Sequence, residues 1–206
     1  LLPEMHNALV YPAVEEAPTE PGGNDIVIVA SGNFPNTLSV EWFLEHVAPK
    51  APHARVKIAG NVDGALKARI PALYEKWKNL FLGRVDDIGA IYANAGLVLL
   101  PTTEGHGLSI KAVEALSSGA PLIATAQAFR GMKVDPKALA NVTLCAGAEE
   151  FAAALEAAAV AGPASNPMAG GEARKASDTR KFYDANFSHT AYVQKIRDIV
   201  LPLVTR

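Results

Sequence analysis

Cysteine is nearly absent from this chain, with one residue, Cys145, in 206. A single thiol excludes an internal disulfide, argues against a cysteine-based zinc site, and fits a reducing compartment. Charge is also scarce: 19% of residues are Asp, Glu, Lys or Arg, and they nearly cancel to a net charge of −2. Without overall basic character, contact with nucleic acid or an acidic membrane would need a local patch, and no nucleic-acid partner is expected. No apolar run approaches the roughly 18 residues of a membrane span. No charged segment precedes a short apolar stretch in the manner of a signal peptide. A cytoplasmic location is therefore expected, with peripheral membrane attachment of a longer protein left open. Asp-x-Asp pairs and clustered histidines are missing, so neither a metal nor another cofactor is expected. The chain opens Leu1-Leu2-Pro3 without an initiator methionine, and reads as a processed product or a piece of something longer.

Apolar residues, by contrast, make up 50% of the chain, enough to bury a real core and exclude global disorder. Residues 1–24, rich in Pro, Gly and Glu, read as an extended lead-in or interdomain linker. From Asp25 the texture changes. DIVIVAS is a continuous apolar run without polar alternation, the pattern of a strand buried on both faces. Similar runs recur at 55–59, 79–83, 96–100, 121–125 and 141–145. Helical spacing fills the gaps. Val40, Phe43, Leu44 and Val47 share one face with Ser39 as the expected N-cap. Leu66, Ile70 and Leu73 mark a second helix that Pro71 shortens or kinks. Asp86 is placed to cap a third. Ser109 to Ser118 is a fourth, closed by Gly119, and Glu149 to Val160 a fifth. Strand and helix in alternation imply an α/β fold, a doubly wound parallel six-stranded Rossmann-like sheet of order 3-2-1-4-5-6 over residues 25–161. Residues 162–178 read as a loop, and 179–206 as a helical tail.

In such a sheet a ligand sits outside the carboxyl ends of the strands, where the strand order reverses. Two loops flank that point, residues 31–36 and 102–108. The second carries Gly105 and Gly107 and runs into a helix N-terminus, whose N–H groups suit a phosphate or diphosphate. An ordinary strand-to-helix turn fits the same spacing. The helix that follows is apolar over most of its circumference, leaving a polar stripe of Lys111, Glu114 and Ser118. Glu114 suits sugar hydroxyls and Lys111 a phosphate, or the two form an i, i+3 ion pair on a solvated face.

The stretch from Gly83 to Thr125 resembles the C-terminal domain of group 1 glycosyltransferases of the GT-B fold, which transfer sugar from a nucleotide-sugar donor, usually with retention. The resemblance rests on Gly83, Val85, Asp87, Pro101, Gly105, Gly107, the Glu114-Ala115-Leu116 triplet, Gly119, Pro121 and Thr125 taken together. It extends over roughly residues 25 to 160, with appended C-terminal helices. It implies that Glu114 binds the donor ribose and that the backbone from Gly105 through His106 and Gly107 to Leu108 holds the donor diphosphate. Val85 would meet the nucleobase, and Gly32 would approach the phosphates from the other side. Two departures stand out. The first glutamate of the family's Glu-x7-Glu motif falls on His106, with Glu104 two residues early, so either residue is a candidate for contact at the reacting sugar. The first loop lacks the Arg and Lys that clamp the diphosphate in many relatives, leaving Lys111 or Arg130 to supply charge.

The resemblance further implies an acceptor, saccharide or lipid-linked glycan, bound by a Rossmann-like N-terminal half that is missing here. A non-catalytic nucleotide-sugar-binding or assembly module, or a sugar-nucleotide epimerase, are the alternatives. His46 and His53 read as surface residues, Trp42 as core or rim, and Cys145 as a buried small hydrophobe.

Overall fold

In a computed structural model, which describes residues 10–20, 22–162 and 170–204, the centre of the chain is a six-stranded sheet. The strands are β1 (Asp25–Val29), β2 (Val56–Ala59), β3 (Phe81–Gly83), β4 (Ala95–Leu100), β5 (Leu122–Thr125) and β6 (Val142–Cys145). All neighbours pair in parallel, in the order β3-β2-β1-β4-β5-β6. This is the doubly wound α/β sheet expected from the apolar runs. Every residue of β4 is buried, which is why its sequence shows no polar alternation.

Successive side chains point to opposite faces, so the sheet divides the interior into two cores. Val27, Val29, Val98 and Leu100 face one side, with Tyr92, Val113, Leu116, Tyr183 and Phe187. Ile28, Leu97 and Leu99 face the other, with Val40, Phe43, Leu44, Leu66, Phe151 and Leu155. The second core is covered by α1 (Phe34–Trp42), continued by a π-helical turn over Phe43–Val47, and by α2 (Val62–Arg69) and α6 (Ala148–Ala161). The first is covered by α4 (Ile88–Asn94), α5 (Ile110–Ser118) and α8 (Asp178–Asn186).

Several boundaries differ from the sequence reading. Helix α1 begins six residues before the expected start, because Asn33, not Ser39, is its N-cap: Asn33 Oδ1 accepts from Asn36 N at 2.9 Å. Ser39 instead sits inside the helix and donates to Pro35 O. The cap of α4 is Asp87 rather than Asp86. Pro71 does not kink a helix but starts a new one, α3 (Pro71–Trp77), since proline lacks an N–H and is tolerated at the first position. On α5, Ser118 is not part of an exposed stripe. It is fully buried and donates to Ala115 O, whereas Ile110 is exposed.

Of the expected loop at 162–178, residues 163–169 lie outside the described residues, as do residues 1–9 of the lead-in. A short helix, α7 (Gly171–Lys175), forms within that loop segment, where Arg174 is completely buried. Its guanidinium donates to the carbonyl oxygens of Tyr92, Ala93 and Ala95, where α4 passes into β4. The tail is two helices, α8 and α9 (His189–Val204). The lead-in is extended but anchored. Tyr11 stacks on Phe187 with ring centroids 4.6 Å apart, Val14 N donates to Phe187 O, and Ala17 N donates to Ser117 Oγ. His46 and His53 are exposed, Trp42 packs edge-on against Phe151 at the rim, and Cys145 is buried.

Tyr183 also holds the lead-in, donating to Val14 O at 2.5 Å. Burial, and then the carboxylate of Glu16, push its phenol from 10.0 up to about 12. The folded chain thus holds this proton more tightly than the unfolded chain. The stabilisation is fully present below about pH 10 and is lost as pH rises through the folded value. We expect Tyr183→Phe to cost about 1 kcal/mol at pH 7 and to flatten the decline between those two pH values. Urea unfolding across the alkaline range checks this; identical pH slopes for both proteins would refute it.

Candidate functional site

The crossovers from β1 and β4 depart to opposite faces of the sheet, so the loops after these strands part and leave a crevice. A cavity of about 220 Å³ lies there, lined by Ser31, Asn33 and Asn36 on one side and Leu108, Ser109, Lys111 and Arg130 on the other. The first wall is held by its own hydrogen bonds. Asn33 and Asn36 side chains both donate to Ser31 Oγ, at 3.1 and 2.9 Å. Gly32 N donates to Asn61 Oδ1 at 2.9 Å, and a Cβ on Gly32 would stand 2.9 Å from Asn61 O. Ser39 ties the walls together by accepting from Thr103 N at 3.2 Å.

The opposite wall is built by the Gly-rich loop and the loop after β5. Gly105 and Gly107 both have positive φ, 124° and 65°, which L side chains rarely adopt. Gly105 O accepts from Gln127 Nε2, and a Cβ at Gly105 would come within 2.7 Å of the Arg130 guanidinium. Thr125 Oγ1 donates to Thr102 O. Ser109 is the N-cap of α5, so the unpaired N–H groups of this nine-residue helix open on the crevice, and Lys111 adds a full charge beside them.

Glu114, one turn further along α5, borders a second hollow of about 470 Å³ with Asp86, Asp87, Tyr92 and residues 14–18 of the lead-in. It is already engaged. Lys111 Nζ lies 2.8 Å from Oε2 and 3.1 Å from Oε1, and Tyr92 OH donates to Oε2 at 3.3 Å. Tyr92 is fully buried, and burial, with the charge of Glu114, raises its phenol well above the usual range, so it is neutral and a donor. The Lys111–Glu114 pair joins the two hollows, since Lys111 lines one and Glu114 the other.

The structure thus brings Leu108 and Lys111 to the crevice, with Gly105 behind the Arg130 guanidinium and Gly32 in the facing loop. Val85 directly precedes the acidic pair of the second hollow. Glu104 and His106 are exposed on the Gly-rich loop, and neither lines the cavity. Sequence reasoning put the loop of Asn33 and Asn36 at the crevice without singling out their side chains, and missed Asn61, Gln127 and the Tyr92 hydroxyl. Only Asn33 carried a local signal, a capping residue just before Phe34-Pro35.

A larger cavity, about 700 Å³, lies at the other edge of the sheet, by the amino ends of the strands. Lys57 and His53 there are already paired with Asp25 and Glu156, and alanines of α6 form much of the wall. The carboxyl-edge crevice combines a helix N-terminus with two cations and is the better candidate. Among the described residues, no group of three or more His, Cys, Asp or Glu is placed to hold a metal ion, and no helix is long and apolar enough to cross a membrane.

The two glycines of the loop are separable by experiment. A Cβ at Gly107 meets open space, whereas one at Gly105 meets Arg130. Gly107→Ala should cost about 1–2 kcal/mol from backbone strain alone, and Gly105→Ala about 1–3 kcal/mol from strain with the steric contact added. Urea unfolding that gives equal losses would show that the Arg130 contact contributes nothing.

With this geometry in hand, known proteins supply the context. The family model for group 1 glycosyl transferases matches residues 25–159. No curated protein matches the sequence. Among solved structures, sucrose-phosphate synthase (tll1590) from Thermosynechococcus elongatus superimposes with a TM-score of 0.60 at 22% identity, over 91% of this chain and 47% of that one. Anabaena Alr3699/HepE in complex with UDP gives 0.59 at 15% identity, over 87% and 49%. The C-terminal domain of the group 1 family protein LpcC from Francisella tularensis gives 0.53 at 16%, over 87% and 96%. At these identities the likeness shows the fold. The chain spans about half the length of the two longer structures. The sheet order, the crevice at its reversal point and the family match lead to one conclusion: the chain belongs to the group 1 glycosyltransferases, with the Rossmann-like fold of their C-terminal domain.

Proposed function

We propose that this chain is the half of a glycosyltransferase that binds the nucleotide-diphosphate-sugar donor for transfer of a glycosyl group to an acceptor. The observation that carries the reading is the N-terminus of α5, opening with Lys111 on a crevice whose lining contains no carboxylate. In the transfer, the bond between the sugar's anomeric carbon and the diphosphate oxygen breaks and the nucleoside diphosphate leaves as an anion. Preoriented N–H groups and a lysine at that point stabilise the developing charge. Glu114 serves the ribose hydroxyls, with Tyr92 holding the carboxylate in place and Lys111 exchanging one partner for another as ligand enters. Val85 lies where the base is expected, and the backbone of Gly105, Gly107 and Leu108 faces the diphosphate, with Gly32 opposite. Protein cations and amides meet the diphosphate in this reading, without a metal. Glu104 and His106, exposed on the Gly-rich loop, serve the donor sugar or the acceptor side in this reading. UDP in the similar HepE structure makes a nucleoside diphosphate the natural first probe.

The acceptor side belongs to a further Rossmann-like N-terminal half. Tyr192, Ile196, Val200 and Leu201 on α9 leave an apolar stripe exposed that such a half would cover.

Isothermal calorimetry with UDP, GDP and ADP should detect binding to the chain at micromolar to millimolar concentration. Silence with all three at millimolar concentration sinks the donor reading and leaves a non-catalytic module of the same fold. Glu114→Ala should weaken binding about tenfold or more, the loss of hydrogen bonds to a charged group; unchanged affinity would remove Glu114 from the ribose site.

A further inference from the structure

The first loop, residues 31–37, holds no basic side chain, although a diphosphate brings two or more negative charges to the crevice. Positive charge enters from the other wall. Lys111 comes from α5, and Arg130 comes from the short 3-10 turn after β5, residues Ala126–Phe129, which ends at it. No carboxylate lines the same cavity, and no acid lies within ion-pair distance of Arg130 among the described residues.

Three features show that Arg130 is built into this place rather than left at the surface. Its Nη1 donates to Gln127 O at 3.2 Å, and Gln127 Nε2 in turn donates to Gly105 O at 3.1 Å, so the guanidinium and the Gly-rich loop share one support. Two glycines permit the close approach of these loops. A Cβ at Gly105 would lie 2.7 Å from Arg130 Nη2, and one at Gly131, itself at φ 76°, would lie 3.0 Å from Leu108 Cα. Finally, Arg130 Nε is buried without a hydrogen-bond partner. A donor removed from water and left without an acceptor is unfavourable unless a ligand supplies one. Burial also pulls the Arg130 pKa down from its ordinary value, although guanidinium remains charged at neutral pH.

We infer that Arg130 is an anion-binding residue of the crevice, which together with Lys111 clamps the two phosphate groups of a nucleoside diphosphate from the β5 side, in place of cations on the first loop. The inference rests on the donor-binding reading above. A planar guanidinium offers two parallel N–H groups to phosphate oxygens, whereas a lysine offers a point charge, so the two residues are not equivalent. The β5 loop thereby becomes a binding element as well as a connection.

The test measures UDP, GDP and ADP, and the matching nucleosides, by calorimetry with the full chain, its Arg130→Gln variant and its Arg130→Lys variant. Arg130→Gln should lose at least tenfold in diphosphate affinity with nucleoside affinity unchanged, and Arg130→Lys should recover part of the loss. If the unaltered chain binds none of the diphosphates, the donor reading fails and the clamp with it. If it binds and Arg130→Gln binds within twofold, the clamp alone is overturned. Equal losses for diphosphate and nucleoside would also overturn it, because Arg130 would then only prop the Gly-rich loop. Should Arg130→Gln fail to fold, as read by circular dichroism, labelling of the unaltered chain with phenylglyoxal decides. Inorganic pyrophosphate should protect Arg130 from modification, read by mass spectrometry, and absence of protection overturns the inference.

Discussion

Everything about this molecule's site follows from the parallel pairing of β1 with β4. These two strands are adjacent in the sheet but far apart in sequence, and the chain winds away from them in opposite directions. The loops leaving their carboxyl ends therefore cannot pack on each other. The gap between them is a consequence of winding, not of any side chain. Helix α5 then starts at that gap because β4, buried along its whole length, can only leave the sheet upward and turn back over its face. Glycines at 105 and 107 make that turn possible.

The scaffold beneath the site is held by a polar interaction that a wholly apolar core would not supply. Arg174 inserts a guanidinium among the carbonyl oxygens at the end of α4. Tyr92 O also accepts from the Ala95 N–H at the helix cap, and a buried carbonyl left without any donor would cost about 1–3 kcal/mol. Tyr92 links this support to the second hollow, since its carbonyl receives Arg174 and its hydroxyl donates to Glu114. The lead-in and the α8 helix close the same side through Tyr11, Val14 and Phe187. The segments that flank the sheet in sequence are thus structural parts of its first core.

The sheet was legible in the sequence because a strand buried on both faces must be apolar throughout, and each such run marks one strand. The order followed from the alternation of strands with helices. The Gly-rich loop, Lys111 and Glu114 were legible because their residue types and spacing are local. Helix starts were less so. The apolar face of α1 begins at Val40, but its cap, Asn33, lies about two turns earlier, in a stretch whose contacts are polar and internal to the loop. Pro71 reads equally as a kink or a start, and only the neighbouring backbone chooses. Arg174 sat in a stretch rich in Gly, Ala and Ser that resembles a loop, and nothing nearby in sequence announces a buried guanidinium.

What the sequence alone determined is the α/β class, the number and order of the strands, and the glycine-rich turn into a helix, because each depends on residue periodicity or on a backbone conformation that glycine permits. What only the tertiary structure decided is which side chains meet. Gln127 and Arg130 reach Gly105 across some 20 residues of chain. Tyr92 reaches Glu114 across 22 residues, and Arg174 reaches Tyr92 of α4 across 82. Those meetings come from the pairing of distant strands and the burial of unsatisfied polar groups, which no local pattern of residues encodes.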